Sequence, residues 1–212
     1  MNIWKFAPKS IQLLVLIFFL SSCVTLTNDP AYKNESFKES SNSKQDLIVK
    51  IAIESTQKGY PSTLKFNNKN FTNDCSGLIY GIFWEAGIDL IQLSSLETGN
   101  GVSRIYKTLY KKGFIHYKKL PNPGDLIFWN NTYGSWGNNP LSHIGIVVSV
   151  DAATGQVDYV HNNTYLGQIR RESMNLYRPH ETRPINNYMR YDSKYKKTSA
   201  ELFDSFGMAW KL

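Results

Sequence analysis

Cysteine is scarce in this chain, with two in 212 residues, so at most one disulfide can form and the fold must be held by an ordinary core. Long apolar runs are also missing. The stretch from Ile11 to Leu20 falls short of the roughly 20 residues that span a bilayer, which excludes a membrane-spanning helix there. The formal charge is +7, yet the basic residues are scattered and form no block of the kind that grips a polyanion. No internal repeat is evident. Cys and His residues show no paired ligand spacing, so neither a metal nor another cofactor is expected.

What is present begins at the N-terminus, where Lys5 and Lys9 precede the apolar run and Leu20-Ser21-Ser22-Cys23 follows it. This is the layout of a secretory signal. Its last four residues resemble the lipobox of bacterial lipoproteins, which implies cleavage before Cys23 and acylation of Cys23. The resulting expectation is a signal at 1–22, a flexible tether at 23–45, one globular domain at 46–190 and a tail or short helix at 191–212. Val24, rather than an aspartate, after the lipidated cysteine favours the outer membrane, facing the periplasm, if the cell has two membranes. The alternative is a plain cleaved signal, with Cys23 bridged to Cys75. Without Lys5 and Lys9 the charge falls from +7 to +5. An exported chain of modest positive charge suits an anionic wall polymer or lipid headgroups, and nucleic acid is not an expected partner. A monomer is expected.

Residues from Val24 to about Gln45 are polar, with little periodic hydrophobicity. Ser43 then has the form of a helix cap, with Leu47, Ile48, Ile51 and Ala52 predicted on one face and Gly59 and Pro61 as the stop. A second helix is predicted from Asp74 or Cys75, because Leu78, Ile79, Ile82, Phe83 and Ala86 recur at helical spacing until Gly87. A shorter one is predicted from Ser103 to Lys112. The pattern then turns to strands: Asp125 to Trp129 after Pro123-Gly124, and a hairpin of His143 to Val150 with Gln156 to His161. Helices followed by antiparallel strands make an α+β domain. A last strand is expected near Tyr188 to Tyr191, then a terminal helix capped by Thr198 and Glu201 and carrying Leu202, Phe203 and Phe206.

The chemistry centres on Cys75 in Asp74-Cys75-Ser76-Gly77, a thiol at the start of a helix. Helix N–H groups there carry partial positive charge and draw a thiol toward thiolate, and the N–H groups around Cys75 and Ser76 can receive an oxyanion. Among the four histidines, His143 opens an apolar strand and His161 closes its partner at the same end of the hairpin. One can serve as base and the other can orient it, with Asn162 or Asn163 as alternatives for the orienting role. Asp125 is expected to fix its turn, Trp129 to pack in the core, and His116 and His180 to lie on the surface. Tyr133 and Trp136 flank the loop that leads to His143 and can line a groove.

Asp74-Cys75-Ser76-Gly77, Pro123-Gly124-Asp125-Leu126 and Ser142-His143-Ile144-Gly145-Ile146, in that order, resemble the NlpC and P-sixty family of papain-like cell-wall cysteine peptidases. The resemblance covers about Leu47 to Thr164. It implies a papain-like fold, with N-terminal helices packed on a small antiparallel sheet, and amide hydrolysis in peptidoglycan stem peptides through an acyl-enzyme without a metal. It implies Cys75 as nucleophile, His143 as general base and His161 as orienter, with Tyr60, Ser76 and Trp136 as candidate substrate contacts. The chain lacks the Gly-Gly pair that members usually carry before the nucleophile. A wall-binding lipoprotein without turnover, and an amidase or acyltransferase with another substrate, are the alternative readings.

Overall fold

The computed structural model describes residues 32–212 apart from 60, 118, 119, 139 and 193, with side chains described from residue 43 onward. The expected signal, Cys23 and Tyr60 lie outside the described residues.

The first helix, α1 (Tyr32–Ser55), begins well before the expected cap at Ser43, inside the stretch expected as tether. Lys, Glu and Ser propagate a helix at small cost once its far end is packed. That packed end buries Ile48, Ile51, Ala52 and Ser55, while Leu47 is turned to solvent. A hairpin missed by the sequence pattern follows, β1 (Thr63–Phe66) with β2 (Lys69–Thr72). Its alternation is only four residues per strand, and Asn67 supplies the left-handed turn at φ 46°. Helix α2 (Cys75–Glu85) starts and stops as its sequence requires, with Gly87 at φ 83° after the last turn. Leu78, Ile79, Ile82 and Phe83 are fully buried, each stabilising the fold by about 1.5–3 kcal/mol. A single turn, α3 (Leu90–Leu93), leads to α4 (Gly101–Lys111), capped by Asn100.

The remaining chain builds one antiparallel sheet of β3 (Ile115–His116), β4 (Leu126–Trp129), β5 (His143–Asp151), β6 (Gln156–Asn163), β7 (Gln168–Asn175) and β10 (Phe203–Gly207), in the order β3-β10-β4-β5-β6-β7. A separate pair, β8 (Tyr188–Arg190) with β9 (Lys197–Thr198), lies between β7 and β10 in sequence. The mixed helical and antiparallel architecture is the α+β fold expected.

Both faces of the sheet are covered, which explains why β4 is buried at every position. Leu126 and Phe128 join the helix-side core with Ile144, Ile146 and Val160. Ile127 and Trp129 face a second core of Val157, Tyr159, Met174, Leu202 and Phe206.

The C-terminal segment departs most from expectation. Thr198 and Glu201 do bond reciprocally, backbone N–H to side-chain oxygen at 2.9 and 3.1 Å, as a helix cap would. No α-helix follows them, only a 3₁₀ turn at Ala209–Lys211. Phe203–Gly207 instead becomes an interior strand between β3 and β4, so the segment expected as a tail is part of the sheet. Phe206 and Gly207 pair with β3 on one side and β4 on the other, and the burial of Phe206 between them outweighs the local helix signal. His116 is likewise buried rather than on the surface, its Nε2 3.2 Å from Asp125 Oδ2. Asp125 fixes its turn as expected, accepting from Asn122 N at 2.8 Å, and it also accepts from Trp210 Nε1 at 2.8 Å. His180 is exposed, as expected.

Candidate active site

The site is assembled where the start of α2 meets the His143 end of the sheet. Asp74 caps α2, accepting from Gly77 N at 2.7 Å and from Ser76 Oγ at 2.8 Å. This cap sets Cys75 as the first helical residue, on the wall of a cleft of about 1130 Å³ that His143 and His161 also line. Such a volume accommodates a short peptide.

Gly77 lets α2 sit directly on β2. A Cβ there would meet the Thr72 carbonyl oxygen at 1.9 Å, and backbone cannot step aside as a side chain can. We expect Gly77→Ala to cost about 3 kcal/mol, the upper part of the overpacking range, measured as a fall in urea midpoint at unchanged slope.

His143 is buried at the first position of β5, and its Nε2 lies 2.8 Å from His161 Nδ1. That contact leaves His143 Nδ1 as the ring nitrogen available to the thiol. The two asparagines considered as alternative orienters are engaged elsewhere. Asn162 Nδ2 donates to Asn73 Oδ1 at 2.7 Å, tying β6 to the loop before the nucleophile, and Asn163 Oδ1 accepts from Leu166 N at 3.1 Å.

Beyond His161 stands a residue that sequence reasoning missed. Glu172 on β7 is buried, with Oε2 3.2 Å from His161 Nε2 and Oε1 3.1 Å from Arg170 Nε. Both pairs lie within hydrogen-bond distance, though off ideal hydrogen-bond alignment. Burial pushes the Glu172 carboxyl up, but His161, Arg170 and Arg183 outweigh it and hold the group below its ordinary value. The pairing Tyr159↔Glu172 and His161↔Arg170 makes Glu172 the diagonal neighbour of His161. Only the β6–β7 register reveals this, and β7 had no pattern strong enough to be predicted.

The electrostatics reverse the expectation of a thiolate. Burial, then the Asp74 charge beside it, push the Cys75 thiol up to about 12, against the N–H groups of Ser76 and Ile144. Asp74 itself is held below its ordinary value: burial opposes ionisation, but bonds from Gly77, Thr72 and Ser76 outweigh it. The Asp74 carboxylate thus offsets part of the positive potential of the helix terminus, its bond going to Gly77 N–H. Burial, and then the charge of His161, also lower His143 well below its ordinary value. The resting pair is a neutral thiol and a neutral imidazole.

The cleft's other wall is the loop from Asn130 to Leu141, held by Arg190 on β8. Arg190 is buried and donates Nη2 to Gly134 O at 2.6 Å and Nη1 to Asn131 O at 2.8 Å. Trp136 is not on the cleft lining as expected; it stacks on Tyr195 at 5.2 Å, and Tyr195 and Tyr133 are the residues that face the cleft. Trp136 packs against Tyr195 and the Arg190 guanidinium, 5.5 Å from its ring, and is 41% exposed. Ser76 does line the cleft, and Trp129 is core, as expected. Among the described residues no cluster of three or more His, Cys, Asp or Glu is placed to hold a metal ion.

No curated protein and no solved structure matches the chain. The sequence model of the NlpC/P60 family matches residues 62–189, more than half of the chain and the whole span from β1 to β8 that carries Cys75, His143 and His161. The chain therefore belongs to the NlpC/P60 family, whose members are generally cell-wall cysteine peptidases and amidases acting on peptidoglycan peptides.

Proposed function

We propose that this protein is a cysteine hydrolase that cleaves an amide bond in peptidoglycan stem peptides through an acyl-enzyme. The observation that carries the reading is the 2.8 Å contact between His143 Nε2 and His161 Nδ1 on the cleft that Cys75 also lines. In this mechanism His143 Nδ1 takes the Cys75 proton as Sγ attacks the amide carbonyl carbon. The N–H groups of Cys75 and Ser76 at the start of α2 receive the oxyanion. The protonated His143 then returns its proton to the leaving amine, and the C–N bond breaks to leave a thioester. Water, deprotonated by His143, attacks the thioester and restores the thiol.

The same proposal includes the envelope location. Cleavage before Cys23 and lipidation there would hold the protein at an exported membrane face, the outer membrane facing the periplasm where two membranes exist. A wall polymer within reach is then the natural substrate. The protein acts as a monomer, with no nucleic acid partner and no cofactor.

A second reading, a wall-binding lipoprotein without turnover, is favoured by one observation, the burial of the Cys75 thiol beside the Asp74 carboxylate, which opposes its ionisation. Digestion of purified peptidoglycan by the full chain, beside Cys75→Ala, separates the two. Fragments released by the wild type alone, identified by mass spectrometry, are expected and would name the bond. Sedimentation of both proteins with the wall, and release by neither, would favour the binding reading.

A further inference from the structure

We propose that Glu172 is a positioning residue that sets the tautomers of both histidines, so that His143 presents a bare Nδ1 to Cys75. The proposal rests on the hydrolase reading for its consequence in catalysis, but not for its geometry. His143, His161 and Glu172 stand on three adjacent strands, β5, β6 and β7, and all three are buried. Contacts of 2.8 Å and 3.2 Å join them in a row.

With both histidines neutral, counting protons along the row leaves one arrangement. Glu172 lies against Arg170, and Arg183 also acts on it, which keeps it a carboxylate with lone pairs only. A carboxylate oxygen 3.2 Å from His161 Nε2 requires a hydrogen on that nitrogen, since two lone pairs would repel. Neutral His161 then has a lone pair on Nδ1. At 2.8 Å that lone pair requires the hydrogen of His143 to be on Nε2. His143 Nδ1 is therefore unprotonated and can accept the thiol proton. After transfer, the imidazolium keeps its Nε2–H on His161, and Glu172 remains a carboxylate throughout.

Arg170 makes the proposal testable, because it occupies the second oxygen of Glu172. In Glu172→Gln the Arg170 N–H retains the amide oxygen, so the amide NH₂ faces His161 Nε2. That donor forces the proton of His161 onto Nδ1 and, in turn, that of His143 onto Nδ1, the tautomer that cannot act as base. An Asp-to-Asn change at the far end of a catalytic triad costs about 10⁴-fold in kcat by this route, and we expect a loss of about 10³-fold or more in kcat with little change in KM.

The experiment is ring-nitrogen NMR of the labelled full chain, with rates of peptidoglycan cleavage measured on the same samples. Expected are Nε2–H tautomers for His143 and His161 in the wild type and in Glu172→Asp, and Nδ1–H tautomers in Glu172→Gln. Adding Arg170→Met to Glu172→Gln should free the amide to turn, restoring the Nε2–H tautomers and part of kcat; a merely structural role would make the double variant worse. Wild-type His161 protonated on Nδ1 overturns the proposal, whether or not any variant folds. Unchanged tautomers in a folded Glu172→Gln overturn it as well. A wild type with Nε2–H tautomers and no cleavage of peptidoglycan supports the role of Glu172 and removes the hydrolase reading alone.

Discussion

His143→Ala should lower the rate of peptidoglycan cleavage by about 10⁴-fold or more, and adding Cys75→Ala should lower it no further. The size of the effect follows from the state of the thiol. With burial and then the Asp74 charge pushing the Cys75 thiol up, thiolate is scarce at pH 7 without help, so the base supplies nearly all of the nucleophile. Residues that act as one unit are not additive, since removing either already removes the step. The pH profile carries the sign of the same argument. His143 must be neutral to act, and its value is held well below the ordinary one, so activity is lost only as pH falls far enough to protonate it. The upper limit is set by the thiol near 12, and kcat/KM should stay flat through neutral and moderately alkaline pH. Initial rates of fragment release across pH 5 to 10 check this, and a descending limb near pH 8 or 9 would indicate a preformed thiolate–imidazolium pair instead.

Deleting Leu202–Leu212 should abolish the folded state, although the segment reads in sequence as a tail or short helix. The strand β10 lies between β3 and β4, and its removal leaves the apolar β4 as an open edge. Phe206 and Ala209 are fully buried and Leu202 nearly so, and the bond from Trp210 Nε1 to buried Asp125 goes with them. Phe206→Ala alone should cost about 3–5 kcal/mol, a large part of the 5–15 kcal/mol that holds a domain together. Circular dichroism and solubility of the truncated chain, beside a urea titration of Phe206→Ala, test this. A truncated chain that melts cooperatively near the wild-type temperature would refute it.

The two results mark where local pattern is informative. Helix α2 was legible because apolar spacing, an N-cap and a terminal glycine agree over eleven residues, whereas α4 was legible only from Ser103, two residues inside its start, because the Asn100 cap carries little signal alone. The hairpin of β5 and β6 was legible for a similar reason, its long apolar run being followed by a turn at Asp151 to Gly155. The β1–β2 hairpin and β7 were not, since four residues, or a run as polar as Gln168–Asn175, carry too little signal. The C-terminal segment shows the opposite failure: Thr198 and Glu201 form the bonds of a helix cap, and the sheet still takes Phe203–Gly207 as a strand.

By itself, the sequence determined the nucleophile's place at a helix start, the α+β order of elements and the strands on which His143 and His161 stand, though β6 runs two residues past His161, which was expected to close it. These depend on contacts between near neighbours in the chain, which a pattern of residues records. Only the tertiary structure decided that Glu172 joins His161 across the register of β6 and β7, that burial and then Asp74 push the thiol up, and that β10 completes the sheet. Each of these depends on which strand lies beside which and on how much water is excluded between them, quantities set by the packing of distant segments and carried by no single stretch of chain.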